Sequence, residues 1–365
     1  MRKRPVSYCV SLRITAVILS LIVCFPSVMA QVNISLAPAT KVEVVNTVAR
    51  LMEDHYVFAD IGERMGKHIK AKHADGEYDD YTDVKVFCRE VTVDLREISN
   101  DKHIFVFYSP DEAKEVAAMK GLLPEKEIDS INEKHYALDK RGNFGFEKVE
   151  ILDGNIGFLS LKYFSGHEDA FNKAVGAMSF LSTADAIIID LRTNGGGVGG
   201  GVGTLLSSYF IDSVKAPLSG AYFRSTDEVE QAWTMPYVPG KRLPEVDLYI
   251  LTSSRTFSAA EDFAYSLKQL RPVTIVGENT KGGAHPIDVF IVKENILVQL
   301  STGNSLNPIT QSNWEGVGIK PDIDVPAESA LRTAHLKSLE NLLKRVGDDE
   351  RRQELVSLIK ALKEN

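Results

Sequence analysis

From Lys41 to Leu95, apolar residues return every three or four positions: Val42, Val45, Val48, Leu51 and Met52, then a second set from Ile61 to Ile69. That period belongs to amphipathic helices. A third helix is predicted after the polar stretch GEYDDYTD, with Asp83 as its N-cap and its end near Ile98. The pattern then changes to alternation in HIFVFYSP (103–110), which reads as a strand closed by Ser109-Pro110. Residues 38–110 thus form a small helical N-terminal domain, and the charged residues 111–150 connect it to the rest as a helix and loop.

Beyond residue 150 the periods of two and 3.6 alternate. Strands are predicted at Ile156 to Leu161, Ala186 to Leu191, Leu248 to Thr252 and Thr274 to Val276, separated by helices at Glu168 to Leu181, Gly203 to Phe210 and Ala259 to Leu270. Short strands follow at Val289 to Val292 and Ile296 to Leu300. This is α/β alternation, and residues 151–328 form the domain that carries it. Residues 329–365 close the chain as two helices, one with Leu336, Leu339, Leu342, Leu343 and Val346, the other with Leu355, Leu358, Ile359 and Leu362.

The first 30 residues are not expected in the mature fold. Arg2, Lys3 and Arg4 precede an apolar run from Ile14 to Phe25, and Val28-Met29-Ala30 fits signal peptidase cleavage, so the chain is expected to be exported to the periplasm or secreted, with no membrane span left. A lipid anchor at Cys24 is the alternative; Val23 is large for that cleavage. The whole chain has 42 basic and 50 acidic side chains, net −8. Losing Arg2, Lys3, Arg4 and Arg13 and no acid leaves −12, which argues against nucleic acid as a partner. Cys88 then stands alone at helical spacing among apolar residues, so no internal disulfide forms and the thiol reads as buried and structural.

Two stretches carry candidate chemistry. LRTNGGGVGGG (191–201) follows a predicted strand, and its glycines admit three readings: a phosphate cradle, an oxyanion site built of backbone N–H groups, or a flexible turn. Gly195, Gly197 and Gly200 match G-x-G-x-x-G, but three residues separate the strand from the first glycine and no G-K-[ST] follows. In LTSSRTFSAAEDFAYSLKQL, Ser258 falls where a helix begins. There it is either an N-cap or a nucleophile favoured by the helix dipole. The remaining histidines, His55, His68, His73, His135, His167 and His335, are scattered without H-E-x-x-H spacing, no C-x-x-C occurs, and neither metal nor cofactor is expected.

Taken together, TSSRTFSAAEDFA, DLRTNGGG, VGENTKGGAHP and NWEGVGIKPDI resemble the tail-specific, or C-terminal processing, serine peptidases, in the branch similar to interphotoreceptor retinoid-binding protein. GEYDDYTDVKVF, DLREISNDKHIFVFYSP and NFGFEKVEILDGNIGFL extend the resemblance over roughly residues 40–330. The resemblance implies a crotonase-like or ClpP-like ββα spiral for the catalytic domain, with Ser258 as nucleophile. It also implies an oxyanion hole from Gly195, Gly196 and Ala259, where each lost donor is worth about 3 kcal/mol. The dyad lysine of the tail-specific enzymes would fall at Gly283, and Lys281 lies two residues early, about 6 to 7 Å along a strand. The base implied is therefore His103 in NDKH, as in tricorn-type sites, with Glu315 in NWEGVGI as the orienting acid and His285 as a second possible base.

Glu261 and Glu278 are expected in support, accepting backbone hydrogen bonds. The expected substrates are unfolded or flexible polypeptides cut through an acyl-enzyme; no segment reads as a PDZ module. An unperturbed histidine base would lose activity on acidification through about pH 6.5. The alternative on the same scaffold is a non-catalytic carrier of apolar ligands, with a dinucleotide enzyme as a more distant reading.

Overall fold

In the computed structural model, residues 35–198 and 200–364 are described. The expected signal peptide and Cys24 lie outside them. The elements in chain order are α1 (Pro38–His55), α2 (Ala59–Ala74), α3 (Val84–Ser99), β1 (Phe105–Tyr108), α4 (Pro110–Met119), α5 (Glu125–Arg141), β2 (Phe146–Leu152), β3 (Ile156–Leu161), α6 (Asp169–Phe180), β4 (Ala186–Asp190) and α7 (Gly201–Tyr209). They continue as β5 (Pro217–Phe223), β6 (Glu228–Trp233), β7 (Asp247–Thr252), α8 (Ala259–Leu270), β8 (Thr274–Gly277), β9 (Ile287–Lys293), β10 (Ile296–Ser301), β11 (Gly303–Ser305), β12 (Ile323–Asp324), α9 (Ala327–Leu343) and α10 (Asp349–Glu364).

The class is α/β, with a helical segment at each end. A six-stranded sheet in the order β12-β8-β7-β4-β3-β2 is parallel except for the β2–β3 pair. Its central strands β3 and β4 are buried throughout, which is why they read as continuous apolar runs. α6, α7 and α8 cover one face around Leu159, Ile189, Leu206, Ile250, Phe263 and Leu267. α9 and α10 cover the other, around Phe158, Ile188, Tyr249, Leu339 and Leu355.

The N-terminal helices pack through Val45, Val48, Met52, Met65, Ile69 and Phe87. α1 and α2 approach so closely that a Cβ at Gly62 would sit 2.3 Å from the Met52 carbonyl oxygen. Cys88 is buried among them, and burial pushes its thiol up to about 12, as suits an inert side chain. The strand predicted at 103–110 forms as β1, but it pairs antiparallel with β10, Phe105 opposite Gln299 and Tyr108 opposite Ile296. A three-stranded sheet of β1, β10 and β9 therefore joins chain segments nearly 200 residues apart, and places His103 at its edge.

Two helices, α4 and α5, fill residues 110–141, where one helix and a loop were expected. The β5–β6 hairpin was not anticipated. β5 opens on Pro217 and contains Gly220, and β6 is almost wholly exposed, so neither shows the apolar alternation of a half-buried strand.

The predicted cap of α3 is present: Asp83 Oδ1 accepts the N–H groups of Lys85 at 2.9 Å and Val86 at 3.0 Å. Asp83→Ala should lower unfolding free energy by about 1 kcal/mol. Urea unfolding followed by circular dichroism checks this, and an unchanged midpoint would mean that the cap contributes nothing.

Candidate active site

β7 ends at Thr252 and α8 begins at Ala259, and the turn between them is tied to the strand next door. Ser253 Oγ donates to the Arg192 carbonyl at 2.5 Å, Thr256 Oγ1 to that of Leu191 at 2.8 Å, and the Phe257 N–H to that of Asn194 at 3.1 Å. These ties force Ser258 into φ 54°, ψ −122°, a region that non-glycine residues rarely occupy and that costs of order 1–3 kcal/mol. The result is a sharp strand-to-helix elbow with the serine at the positive end of α8.

The glycine run is explained by what it touches. A Cβ at Gly196 (φ 109°) would lie 2.8 Å from Ser258 Cβ, and one at Gly197 (φ 133°) 2.2 Å from the Phe164 carbonyl oxygen. At Gly196 the loop is packed against the elbow and at Gly197 against the segment after β3, and neither position has space for a side chain, whereas a Cβ at Gly195 or Gly200 would meet nothing within 4 Å. Of the three expected donors, the Gly196 N–H is already bound to Asn194 Oδ1 at 2.9 Å. That corrects its part: Gly196 supplies close approach, while the N–H groups of Gly195 and Ala259 make no hydrogen bond among the described residues.

Glu261 is buried one turn into α8. Its carboxylate accepts the Ser258 N–H at 2.9 Å, the Gly282 N–H at 2.7 Å, the Gly283 N–H at 2.9 Å and Thr280 Oγ1 at 2.5 Å. Burial raises its pKa against the lowering effect of these donors. Glu278 accepts the N–H groups of Ser254 and Ala327, and they hold its carboxyl below the usual range. Both glutamates thus accept backbone hydrogen bonds.

His103, Asp101 and Glu315 meet within 4.8 Å of one another. Asp101 is a participant the sequence reading passed over, although its place two residues before His103 in NDKH was visible. It is buried, accepts the His103 N–H at 2.8 Å, Ser301 Oγ at 2.6 Å and Tyr56 OH at 3.2 Å, and lies 3.8 Å from His103 Nδ1. Burial, opposed by Asp101 and reinforced by His285, Lys281 and Arg96, holds His103 below its ordinary pKa and therefore neutral.

Glu315 Oε2 accepts the N–H groups of Ala284 at 2.5 Å and His285 at 3.3 Å, while Oε1 has no partner among the described residues. Burial, with Asp101 and Glu261 adding to it, pushes its carboxyl up to about 7 despite those two N–H groups. His285 lies 4.0 Å from Glu315 and edge-on to Phe58, and burial lowers its pKa too.

The two halves meet at Phe257, whose ring is 4.5 Å from the His103 ring. Neither imidazole nitrogen has a hydrogen-bond partner among the described residues, so Ser258 and His103 are not bonded in this state. Gly283 faces both rings. A Cβ there would lie 2.0 Å from Phe257 Cε2 and 2.6 Å from His103 Cε1, so the position of a dyad lysine holds no side chain. Lys281 instead places its ammonium over Phe257, 4.5 Å from the ring centre, with its pKa lowered by burial.

Residues 155–325 match the model for peptidase family S41, and residues 31–142 match that for the N-terminal domain of Peptidase_S41 in eukaryotic IRBP. The chain belongs to peptidase family S41. It is thus a serine-type peptidase by family. Two solved structures share its fold: a candidate peptidase from Parabacteroides merdae, 18% identical with TM-score 0.52 over 80% of this chain and 90% of that one, and a lipoprotein from Streptococcus agalactiae, 17% identical with TM-score 0.52 over 85% and 99%.

The raised pKa of Glu315 has a stability consequence. The folded state holds a proton that the unfolded state releases between about pH 4.5 and 7, so stability present below that window is lost as pH rises through it. Glu315→Gln stays neutral and should gain about 3 kcal/mol relative to wild type between pH 5 and pH 8. Urea unfolding at the two pH values tests this; a difference independent of pH would show Glu315 to be ionised at both.

Proposed function

We propose that this family S41 peptidase cuts unfolded or flexible polypeptides through an acyl-enzyme at Ser258. The observation that carries the reading is the strained elbow: a serine side chain at a helix N-terminus, beside two N–H groups that have no partner among the described residues, with a buried histidine held below its ordinary pKa nearby.

In this reading Ser258 Oγ attacks the scissile carbonyl carbon as His103 takes its proton. The Gly195 and Ala259 N–H groups stabilise the oxyanion, and His103 passes the proton to the leaving amine. Water then attacks the ester with His103 again as base, releasing the second product. Glu315 and Asp101 stand on the imidazole's flank to orient it and to stabilise the imidazolium that forms. The separation of Ser258 and His103 in the free state means that the hydrogen bond between them forms on substrate binding, with a shift of Phe257. Export to the periplasm or outside the cell, after cleavage following Ala30, belongs to the same proposal.

A fluorophosphonate probe should label the folded wild type at Ser258 and unfolded casein should be cleaved; Ser258→Ala should lose both, and His103→Gln should slow both by about a thousandfold. A folded wild type that neither labels nor cleaves would favour the carrier of apolar ligands.

The structure also changes the expected pH profile. Because His103 is held below its ordinary value, it remains a usable base below pH 6.5, and the limb it sets moves to more acid pH than its unperturbed value of about 6.5. Glu315 adds an upper inflection near 7. The rate of Ser258 labelling against pH should show both, and Glu315→Gln should retain only the lower one. A single limb at or above 6.5 in that variant would overturn the lowered value of His103.

A further inference from the structure

Among the described residues, six buried side-chain nitrogen or oxygen atoms have no hydrogen-bond partner, and four of them belong to neighbouring side chains: both ring nitrogens of His103, Nδ1 of His285 and Oε1 of Glu315. Buried polar atoms without a partner call for an ion, a water or a catalytic role. The role of base accounts for one His103 nitrogen and leaves the other atoms unexplained. His103 is 2% exposed, and Asp101 and Glu315 stand against it, with one donor atom from each of the three within 4.8 Å of the other two.

These distances suit a small divalent ion. Three atoms at the corners of a triangle of that side lie about 2.8 Å from its centre, and zinc bonds to imidazole nitrogen and carboxylate oxygen are about 2.0 to 2.2 Å, so each side chain need move by less than about 1 Å. Both carboxylates keep an oxygen for the ion. Glu315 Oε2 accepts the N–H groups of Ala284 and His285, which leaves Oε1. Asp101 Oδ2 accepts the hydroxyls of Ser301 and Tyr56, while Oδ1 accepts the His103 N–H, lies 3.8 Å from His103 Nδ1 and has a second lone pair. Hydrogen bonds of this kind behind a carboxylate hold it in the orientation that a metal needs. Two carboxylates also cancel the charge of a divalent ion, so the loaded site adds no unpaired charge to the interior. One nitrogen and two oxygens match zinc, whereas magnesium and calcium favour shells made of oxygen alone. The other group of such donors, His68, Asp94 and Glu97, differs: the Lys72 ammonium already sits 2.8 Å from Asp94 Oδ1 and Tyr78 OH 2.6 Å from Oδ2.

We infer that Asp101, His103 and Glu315 form an inhibitory zinc site, with the fourth position left to solvent. The inhibition rests on His103 being the base for Ser258. A neutral imidazole has one lone pair and one N–H. Zinc on Nε2 occupies the atom that would take the serine proton; zinc on Nδ1 leaves the ring proton on Nε2, which then cannot accept another. Either way Ser258 loses its base. The spacing rules that predict no metal in this chain look for ligands close together in sequence, and here Glu315 follows Asp101 by more than 200 residues.

Zinc titrated into Ser258→Ala should bind as one ion per chain by isothermal calorimetry, since this variant keeps all three ligands and needs no turnover. His103→Gln and Glu315→Gln, with folding checked by circular dichroism, should each weaken binding by at least about tenfold. Cobalt(II) on wild type gives a measurement free of ligand variants: its visible spectrum should be that of a four-coordinate ion and should disappear when zinc is added. In wild type, zinc should slow fluorophosphonate labelling of Ser258 over the concentrations at which it binds, and a chelator should restore the rate. Absence of binding, or binding that survives the loss of His103, overturns the site. Binding that leaves the labelling rate unchanged overturns the inhibition while the peptidase reading stands. A wild type that binds zinc at these ligands, yet neither labels nor cleaves with chelator present, supports the metal site and overturns the peptidase reading instead.

Discussion

One buried carboxylate holds the site together. Glu261 accepts four donors from two chain segments: the Ser258 N–H of the elbow, and Thr280, Gly282 and Gly283 of the loop after β8. A buried carboxylate with so many donors fixes both segments, because withdrawing any one donor leaves polar atoms unpaired away from water. The 280–283 loop in turn positions the rest. The Trp314 indole donates to the Gly283 carbonyl at 2.9 Å, the Gly316 N–H to that of Gly282 at 3.2 Å, and Glu315 accepts the Ala284 N–H. Elbow, loop and acid are thus one hydrogen-bonded unit.

Around that unit the electrostatics are arranged by exclusion of water. Glu315 and Glu261 are pushed up and His103 and His285 are pushed down, all four primarily by burial. Each shift favours the uncharged form. Asp101 stands apart: three donors, Tyr56, Ser301 and the His103 backbone, satisfy its carboxylate. A proton moving onto His103 in the proposed reaction meets both carboxyl groups within a few ångströms, where a low dielectric makes the interaction strong.

Much of this was legible in the chain itself. The period of 3.6 gave α1, α2 and α3, and the buried runs gave β3, β4 and β7, because burial on both faces demands continuous apolar residues. FSAAE marked the elbow, and the glycines marked a close approach. Glu261 and Glu278 stood out as carboxylates in motifs, and both accept backbone hydrogen bonds. The β5–β6 hairpin escaped notice because its exposed residues carry no period, and Asp101 because an acid beside a lysine and before a strand has the look of solvated surface.

What the sequence determined by itself is local: where helices and strands begin, which residues cap them, and which short motifs carry chemistry, since each depends on near neighbours along the chain. What only the tertiary structure decided is contact between distant segments. Pairing of β1 with β10 brings His103 to the site. Packing of Gly283 on Phe257 and His103 excludes a lysine there, and Asn194 claims the Gly196 N–H while those of Gly195 and Ala259 have no partner among the described residues. Hydrogen bonds and van der Waals contacts act over a few ångströms, and only the folded chain brings residues so far apart in sequence within that range.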